Sequence, residues 1–420
     1  MKPKHKKSNL VFIVAIPAIM FSALSLYSQT NSCLDCHREI GDELAMPVEE
    51  FKLDVHQEFG LSCSDCHGGN PAEEDIDLAK DKTFEGAPLR EQIPEFCASC
   101  HSDSTYMRRF NPRLRVDQLD LYLTSEHGKL LKEGDTKAAV CTDCHNTHGI
   151  LASSHPKSWT FPWNIPDTCG RCHADNDFMK GYRIPTNQLE EYEQSVHAYA
   201  LFEKKDLSAP VCNDCHGNHG AAPPEVTSIA YVCRQCHPST GELFSKSPHK
   251  TAYDEMGISE CEACHGNHKI LSPSDDMLGT GKEAVCIQCH DPDSRPYEVA
   301  SRIKEMLDDF INKTHSASSL LEQAEGKGVE VSDPKFKLRE ANTLLILVRN
   351  LTHGLDITAI EEKIQEGEKV VLEVQEAGMT ALKEATFRRR GLIISTFFVF
   401  LLAVALFLKI RQIEKKNRTQ

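Results

Sequence analysis

All 18 cysteines and nine of the 20 histidines of this 420-residue chain fall into one spacing, Cys-x-x-Cys-His, which occurs nine times. The copies are Cys33/Cys36/His37, Cys63/Cys66/His67, Cys97/Cys100/His101, Cys141/Cys144/His145 and Cys169/Cys172/His173, followed by Cys212/Cys215/His216, Cys233/Cys236/His237, Cys261/Cys264/His265 and Cys286/Cys289/His290. Two thiols three positions apart form thioether bonds to one porphyrin, and the adjacent imidazole binds its iron. Zinc sites use Cys-x-x-Cys pairs without needing a histidine directly after each. A disulfide framework would give irregular spacing and no obligate histidine. The expected cofactor is nine covalently bound haem c groups, with nine proximal imidazoles as iron ligands.

The motifs sit in an internal repeat. Its full form is an upstream histidine, then Cys-x-x-Cys-His-x-x-His, then a second motif. One copy has His127, Cys141 to His148 and the motif at Cys169; the next has His197, Cys212 to His219 and Cys233; the third has His249, Cys261 to His268 and Cys286. An imperfect copy has His56, Cys63 to His67 and Cys97, but its string CSDCHGGNP lacks the second extra histidine, and the lone motif at Cys33 precedes it.

These strings resemble the doubled-CxxCH class of multihaem c-type cytochromes over roughly residues 31 to 295. The resemblance implies bis-histidine ligation of most haems and electron transfer from porphyrin to porphyrin. The candidate distal ligands are His56, His127, His148, His155, His197, His219, His249 and His268: eight histidines for nine positions. If each full repeat serves its own two haems, the first three haems share His56 and His155, and one lacks a local histidine. Met46 and Met107 follow the first and third motifs and are alternative sixth ligands; an iron without one would bind a small substrate. His315 and His353, beyond the haem region, are read as structural, although either can complete the set by folding back. Arg108, Arg109, Arg113 and Arg115 are a basic cluster suited to haem propionates or an anion. Trp159, Phe161 and Trp163 are expected to stack on haem faces, with a quinone pocket as the alternative.

The elements that hold these groups must be economical. Residues 29–295 allow each haem only about 29 residues, too few for nine ordinary apolar cores, so the porphyrins supply much of the interior. The expected fold class is mainly α with extensive loops: a haem-packed cytochrome domain, a helical bundle and one C-terminal transmembrane helix. Residues 1–28 carry Lys2, Lys4, Lys6 and Lys7 before an apolar run, as in a signal peptide or N-terminal anchor. Residues 296–387 show helical periodicity, as a hairpin or three-helix bundle. Its stripes are Ile303, Leu307, Phe310, Ile311 and Leu321, then Phe336, Leu344, Leu345, Val348 and Leu351, then Ile360, Ile364, Val371 and Val374. Gly367 and Gly378 imply close packing of that third helix.

Residues 388–410 contain an uninterrupted apolar run, Leu392 to Leu408, between Arg388–Arg390 and a basic tail, residues 411–420. This reads as a membrane span with a cytoplasmic C-terminus and the haem domain on the periplasmic side of the cytoplasmic membrane. The net charge of −15 argues against nucleic acid as a partner. The expected function is electron relay between the quinol pool, or a membrane redox complex, and soluble redox proteins outside the cytoplasm. An oligomer through the helical region is compatible with the pattern. No catalytic residue is identified, and an electron carrier is favoured over a substrate-converting enzyme. The alternative is an oxidoreductase acting on a small nitrogen or sulfur compound at one open haem.

Overall fold

The computed structural model describes residues 31–221 and 229–417; the signal-peptide expectation for residues 1–28 lies outside them. The fold is mainly helical, with no strand among the described residues. Two compact units are present. The first comprises the residues up to Ile93 together with Asn146–Ala152, and the second comprises Pro94–His145 and everything from Ser153 onward.

Haem-motif helices are short, as the scarcity of core predicts. Three first motifs of a repeat form five-residue helices, Cys63–His67, Cys141–His145 and Cys212–His216. The variable residue before the second cysteine caps each one. Asp65, Asp143 and Asp214 accept the backbone N–H of Ser62, Val140 and Val211 at 2.7, 2.7 and 2.8 Å. This satisfies a donor that so short a helix leaves orphaned. Each helix ends at the motif histidine because the next residue turns left-handed: Gly68 (φ 68°), Asn146 (φ 71°) and Gly217 (φ 79°). Second motifs instead finish longer helices, such as Ile93–His101 and Ile165–His173.

Each upstream histidine occupies the second position of a helix capped by a buried small polar residue. Ser125 and Ser195 accept the N–H of Gly128 and Ala198 at 3.0 and 3.1 Å, and Asp54 takes that place before His56. The residue just before the histidine is clamped to the following repeat. Val55, Glu126 and Val196 donate their N–H to the carbonyls of Ile150, Ala221 and Ile270, two residues past His148, His219 and His268. The repeat seen in sequence is therefore also a repeat of backbone hydrogen bonds.

The C-terminal part of the second unit is a three-helix bundle of Arg295–Glu325, Ser332–Leu351 and the first half of Ile357–Asn417. Its core contains Ile303, Leu307, Phe310, Leu321, Leu344, Leu345, Val348, Ile360, Ile364, Val371 and Val374, matching the sequence stripes. Phe336 departs from them: it is 67% exposed, because Leu338 and Ala341 supply the inward face of that turn. Gly367 packs as expected, since a Cβ there would lie 2.3 Å from the Phe310 ring. The third bundle helix and the apolar C-terminal run are one continuous helix of 61 residues, without a break at Arg388–Arg390. Its C-terminal half is long and apolar enough to cross a membrane, and none of that window is buried against protein.

Candidate functional site

The motif histidines face the extra histidines in pairs. Ring centroids are 6.2 Å apart for His67 and His148, 6.1 Å for His127 and His173, and 6.1 Å for His145 and His219. They are 5.9 Å apart for His216 and His268, 5.9 Å for His249 and His290, and 6.1 Å for His265 and His353. His237 also lies near enough to His197 to lower its pKa, after burial. An imidazole nitrogen binds a first-row metal at about 2 Å, so two rings on opposite sides of one ion have centroids about 6 Å apart. The six measured separations fit an iron between each pair.

The protonation and orientation of the rings suit that role. Burial drives His127, His148, His173, His219, His249, His265 and His268 toward the neutral form. Burial, reinforced by His219 and His101, pushes His145 down to about 4. A neutral imidazole has the lone pair that a metal needs. His67 Nδ1 donates to the Gly86 carbonyl at 2.7 Å and His353 Nδ1 to the Asn350 carbonyl at 3.0 Å. Each bond fixes the tautomer that leaves Nε2 for the iron.

Pairing follows a rule that the sequence did not reveal. An upstream histidine faces the second motif of its own repeat, His127 with His173 and His249 with His290, and His197 lies near His237. The histidine three positions past a first motif is given to the previous repeat: His148 to His67, His219 to His145, His268 to His216. Ring pairs therefore join successive repeats as well as residues of one repeat. The last first motif has no following repeat, and His353, one of the two histidines expected to be able to fold back, faces His265 there. The turn that carries it is docked by Asn350 on Thr240 Oγ1 at 2.8 Å and by Arg349 on Asp275 at 2.8 and 2.6 Å. The signal for His353 was weak, a lone histidine in a helical stretch without cysteine. His155 stays outside the paired set; it is exposed, and its Nδ1 accepts from the Lys157 N–H at 3.2 Å.

Cysteines of successive motifs are neighbours. Cys33 lies by Cys63 in the first unit. In the second unit Cys97 lies by Cys141, Cys169 by Cys212 and Cys233 by Cys261. Cys144 lies near Cys169, Cys215 near Cys233 and Cys236, and Cys264 near Cys286 and Cys289. The seven motifs of that unit thus follow one another in space as they do in sequence.

The two thiols of a motif, equivalent in the sequence reading, differ in the structure. Each first cysteine is half-buried. Among the second cysteines, Cys36, Cys66, Cys144, Cys215, Cys236 and Cys289 are exposed, and Cys100, Cys172 and Cys264 are half-buried. The difference follows from the helix: the second thiol is three residues on, close to one turn later, where the chain is already leaving for the next loop. The contacts between motifs run mainly through first cysteines. Haem attachment at both cysteines of each motif rests on the motif spacing. None of the 18 cysteines is in a disulfide. Among the described residues no group of three or more His, Cys, Asp or Glu is placed to hold a metal ion.

The other flagged residues have ordinary environments. Met107 is buried and Met46 is 58% exposed. The Arg109 guanidinium covers the Tyr106 ring at 4.4 Å, and Arg115 pairs with Asp117. Phe161 meets Trp163 edge-on at 5.5 Å, while Arg171 lies 3.9 Å over Trp159 and donates to the Asp143 carbonyl at 2.8 Å. All three aromatic residues thus contact a cation or each other, beside the Cys169 motif helix.

The cytochrome c3 family model matches residues 55–174 and 203–291. No curated protein and no solved structure matches the chain. The family match covers repeats whose histidines face each other at iron-spanning distance. The chain is a multihaem c-type cytochrome. Its cytochrome region carries covalently bound haem c, which supplies the electron-transfer chemistry. The protein's part is to bring motif histidines and extra histidines face to face in pairs and to set the motifs in order.

Proposed function

We propose that this cytochrome binds nine haems and relays electrons between the quinol pool, or a membrane redox complex, and acceptors outside the cytoplasm. The carrying observation is the ordered succession of motifs in the second unit, in which His145 and His216 face histidines of the following repeat and His265 faces His353 of the bundle. Such interlocking fixes neighbouring porphyrins relative to one another, which a relay requires and a set of independent haem sites does not. Both cysteines of every motif form thioethers in this reading, Cys66, Cys100, Cys172, Cys236 and Cys289 included. The distal ligands are His127, His148, His197, His219, His249, His268 and His353. His56 holds the place of His127 and His197 in its repeat, with the same backbone clamp.

The C-terminal helix supports a membrane anchor with the haem region on the periplasmic side. The bundle would then hold the relay beside its membrane partners and raise their effective concentration. Because His353 comes from the bundle, the last repeat and the anchor are tied through an iron ligand. Haem analysis of the purified protein should give nine haems per chain, and a quinol analogue, or membranes supplying electrons, should reduce them. A count below nine, or no reduction from either source, would overturn the proposal.

A further inference from the structure

The pairing rule points to one haem that it leaves incomplete. The residue three positions after a first-motif histidine serves the first motif of the preceding repeat: His148 serves His67, His219 serves His145, and His268 serves His216. For the motif at Cys63 the same position is residue 70, and the preceding haem, the one it would serve, is that of the lone motif at Cys33. Residue 70 is asparagine.

The geometry of the first unit places that position where the rule requires. Ser32, at the start of the Ser32–Ile40 helix that carries the Cys33 motif, donates its N–H to the carbonyl of Pro71 at 2.9 Å. Cys33 and Cys63 are close enough to influence each other electrostatically. The segment is thus brought to the first motif, but its side chain is engaged elsewhere. Asn70 Oδ1 accepts the Ala72 N–H at 3.1 Å, and the Asn70 N–H is bound to the Ala79 carbonyl at 2.8 Å. Among the described residues no histidine ring is paired with His37. His56 carries the backbone clamp of the upstream histidines, with its ring on Asp54, and His148 faces His67.

We infer that the haem on Cys33 and Cys36, held through His37, keeps its distal face for a small exogenous ligand, because Asn70 stands where the other repeats supply histidine. The inference rests on the haem reading given above and deepens it by naming the ligand-binding haem. The helices beside it carry Asp35, Glu39, Asp42 and Glu43 against Arg38. This acidic field disfavours an anion, so the ligand class is a small neutral molecule. Carbon monoxide on the ferrous iron is the direct probe.

The test uses the full-length holoprotein in detergent. The wild type should carry nine haems, bind one equivalent of carbon monoxide when fully reduced, and show one high-spin ferric signal when oxidised. A haem count below nine would instead count against the haem reading itself. The double variant C33A/C36A should lose one haem together with the carbon monoxide complex and the high-spin signal. Asn70→His should keep nine haems while losing both signatures. Absence of carbon monoxide binding in the wild type overturns the inference, as does its persistence in C33A/C36A or in a nine-haem N70H protein.

Discussion

Asp54 Oδ1 accepts two hydrogen bonds from His56, one from its backbone N–H and one from its ring Nδ1, each 2.8 Å long, while Oδ2 accepts from the Ile150 N–H at 2.8 Å. The equivalent positions in the later repeats are Ser125, Ser195 and Ser247. Serine caps the helix but brings no charge to the ring; the carboxylate does both. A buried carboxylate on the far nitrogen of an axial imidazole makes that ligand more basic and stabilises the ferric state. Asp54→Ser should therefore raise the reduction potential of one haem and leave the others in place. It should also cost about 1–3 kcal/mol of stability as the charge-assisted bonds are lost. Spectroelectrochemical titration checks the first effect and thermal unfolding the second; an unchanged potential profile would remove Asp54 from haem tuning.

His353 faces His265 at 6.1 Å from a turn of the bundle. His353→Ala should open the iron at Cys261 without releasing that haem, since the thioether bonds and His265 remain. Low-temperature EPR should show one low-spin signal replaced by a high-spin one, and the reduced protein should bind one more equivalent of carbon monoxide than the wild type. Imidazole added to the variant should restore the low-spin spectrum. If the spectrum of the variant is unchanged, the bundle does not ligate the haem.

The bundle itself offers a test of packing against propensity. Alanine is favoured over glycine within a helix by about 1 kcal/mol. At position 367, however, the added methyl would sit 2.3 Å from the Phe310 ring, which is fully buried. Overpacking of this kind costs about 1–3 kcal/mol and should win, so Gly367→Ala should lower the unfolding temperature of the bundle. Gly391→Ala, with open space at the Cβ position, is the control and should not lower it.

These tests bear on parts of the molecule that the sequence showed unequally. Motif spacing could propose covalent attachment sites because thioether formation and proximal ligation are local, confined to five residues. It could not tell a half-buried first thiol such as Cys63 from its exposed partner Cys66, since exposure depends on where the chain goes after the motif. Bundle stripes were legible because periodicity is also local; Phe336 misled because one helix turn offered two candidate faces. Distal ligation is different, since it joins residues as far apart as His265 and His353. The extra histidines could be counted from the sequence, but not their direction of donation, which the Val55–Ile150, Glu126–Ala221 and Val196–Ile270 clamps display. Asn70 looked like a missing histidine within its own repeat. By the pairing rule the haem affected is the preceding one, as inferred above.

The continuous helix Ile357–Asn417 carries two solvents on one backbone. Ile360, Ile364, Val371, Val374, Ala381 and Ala385 are buried in the bundle, whereas Leu392, Ile393, Phe398, Leu402 and Leu408 are each about 60% exposed or more. Leucine, isoleucine, phenylalanine and valine gain roughly 0.3–0.6 kcal/mol each at the centre of a bilayer, and the exposed half is built almost wholly from them. Removal of residues 388–420 should therefore release the cytochrome from membranes without disturbing the bundle, whose buried contacts end at Ala385. The truncated protein should fractionate as soluble and retain its haem content, the His353-dependent low-spin spectrum and the unfolding temperature of the bundle. Retention in the membrane fraction would move the anchor elsewhere in the chain. Loss of the low-spin spectrum would show instead that the C-terminal half of the helix is needed to hold His353 against His265.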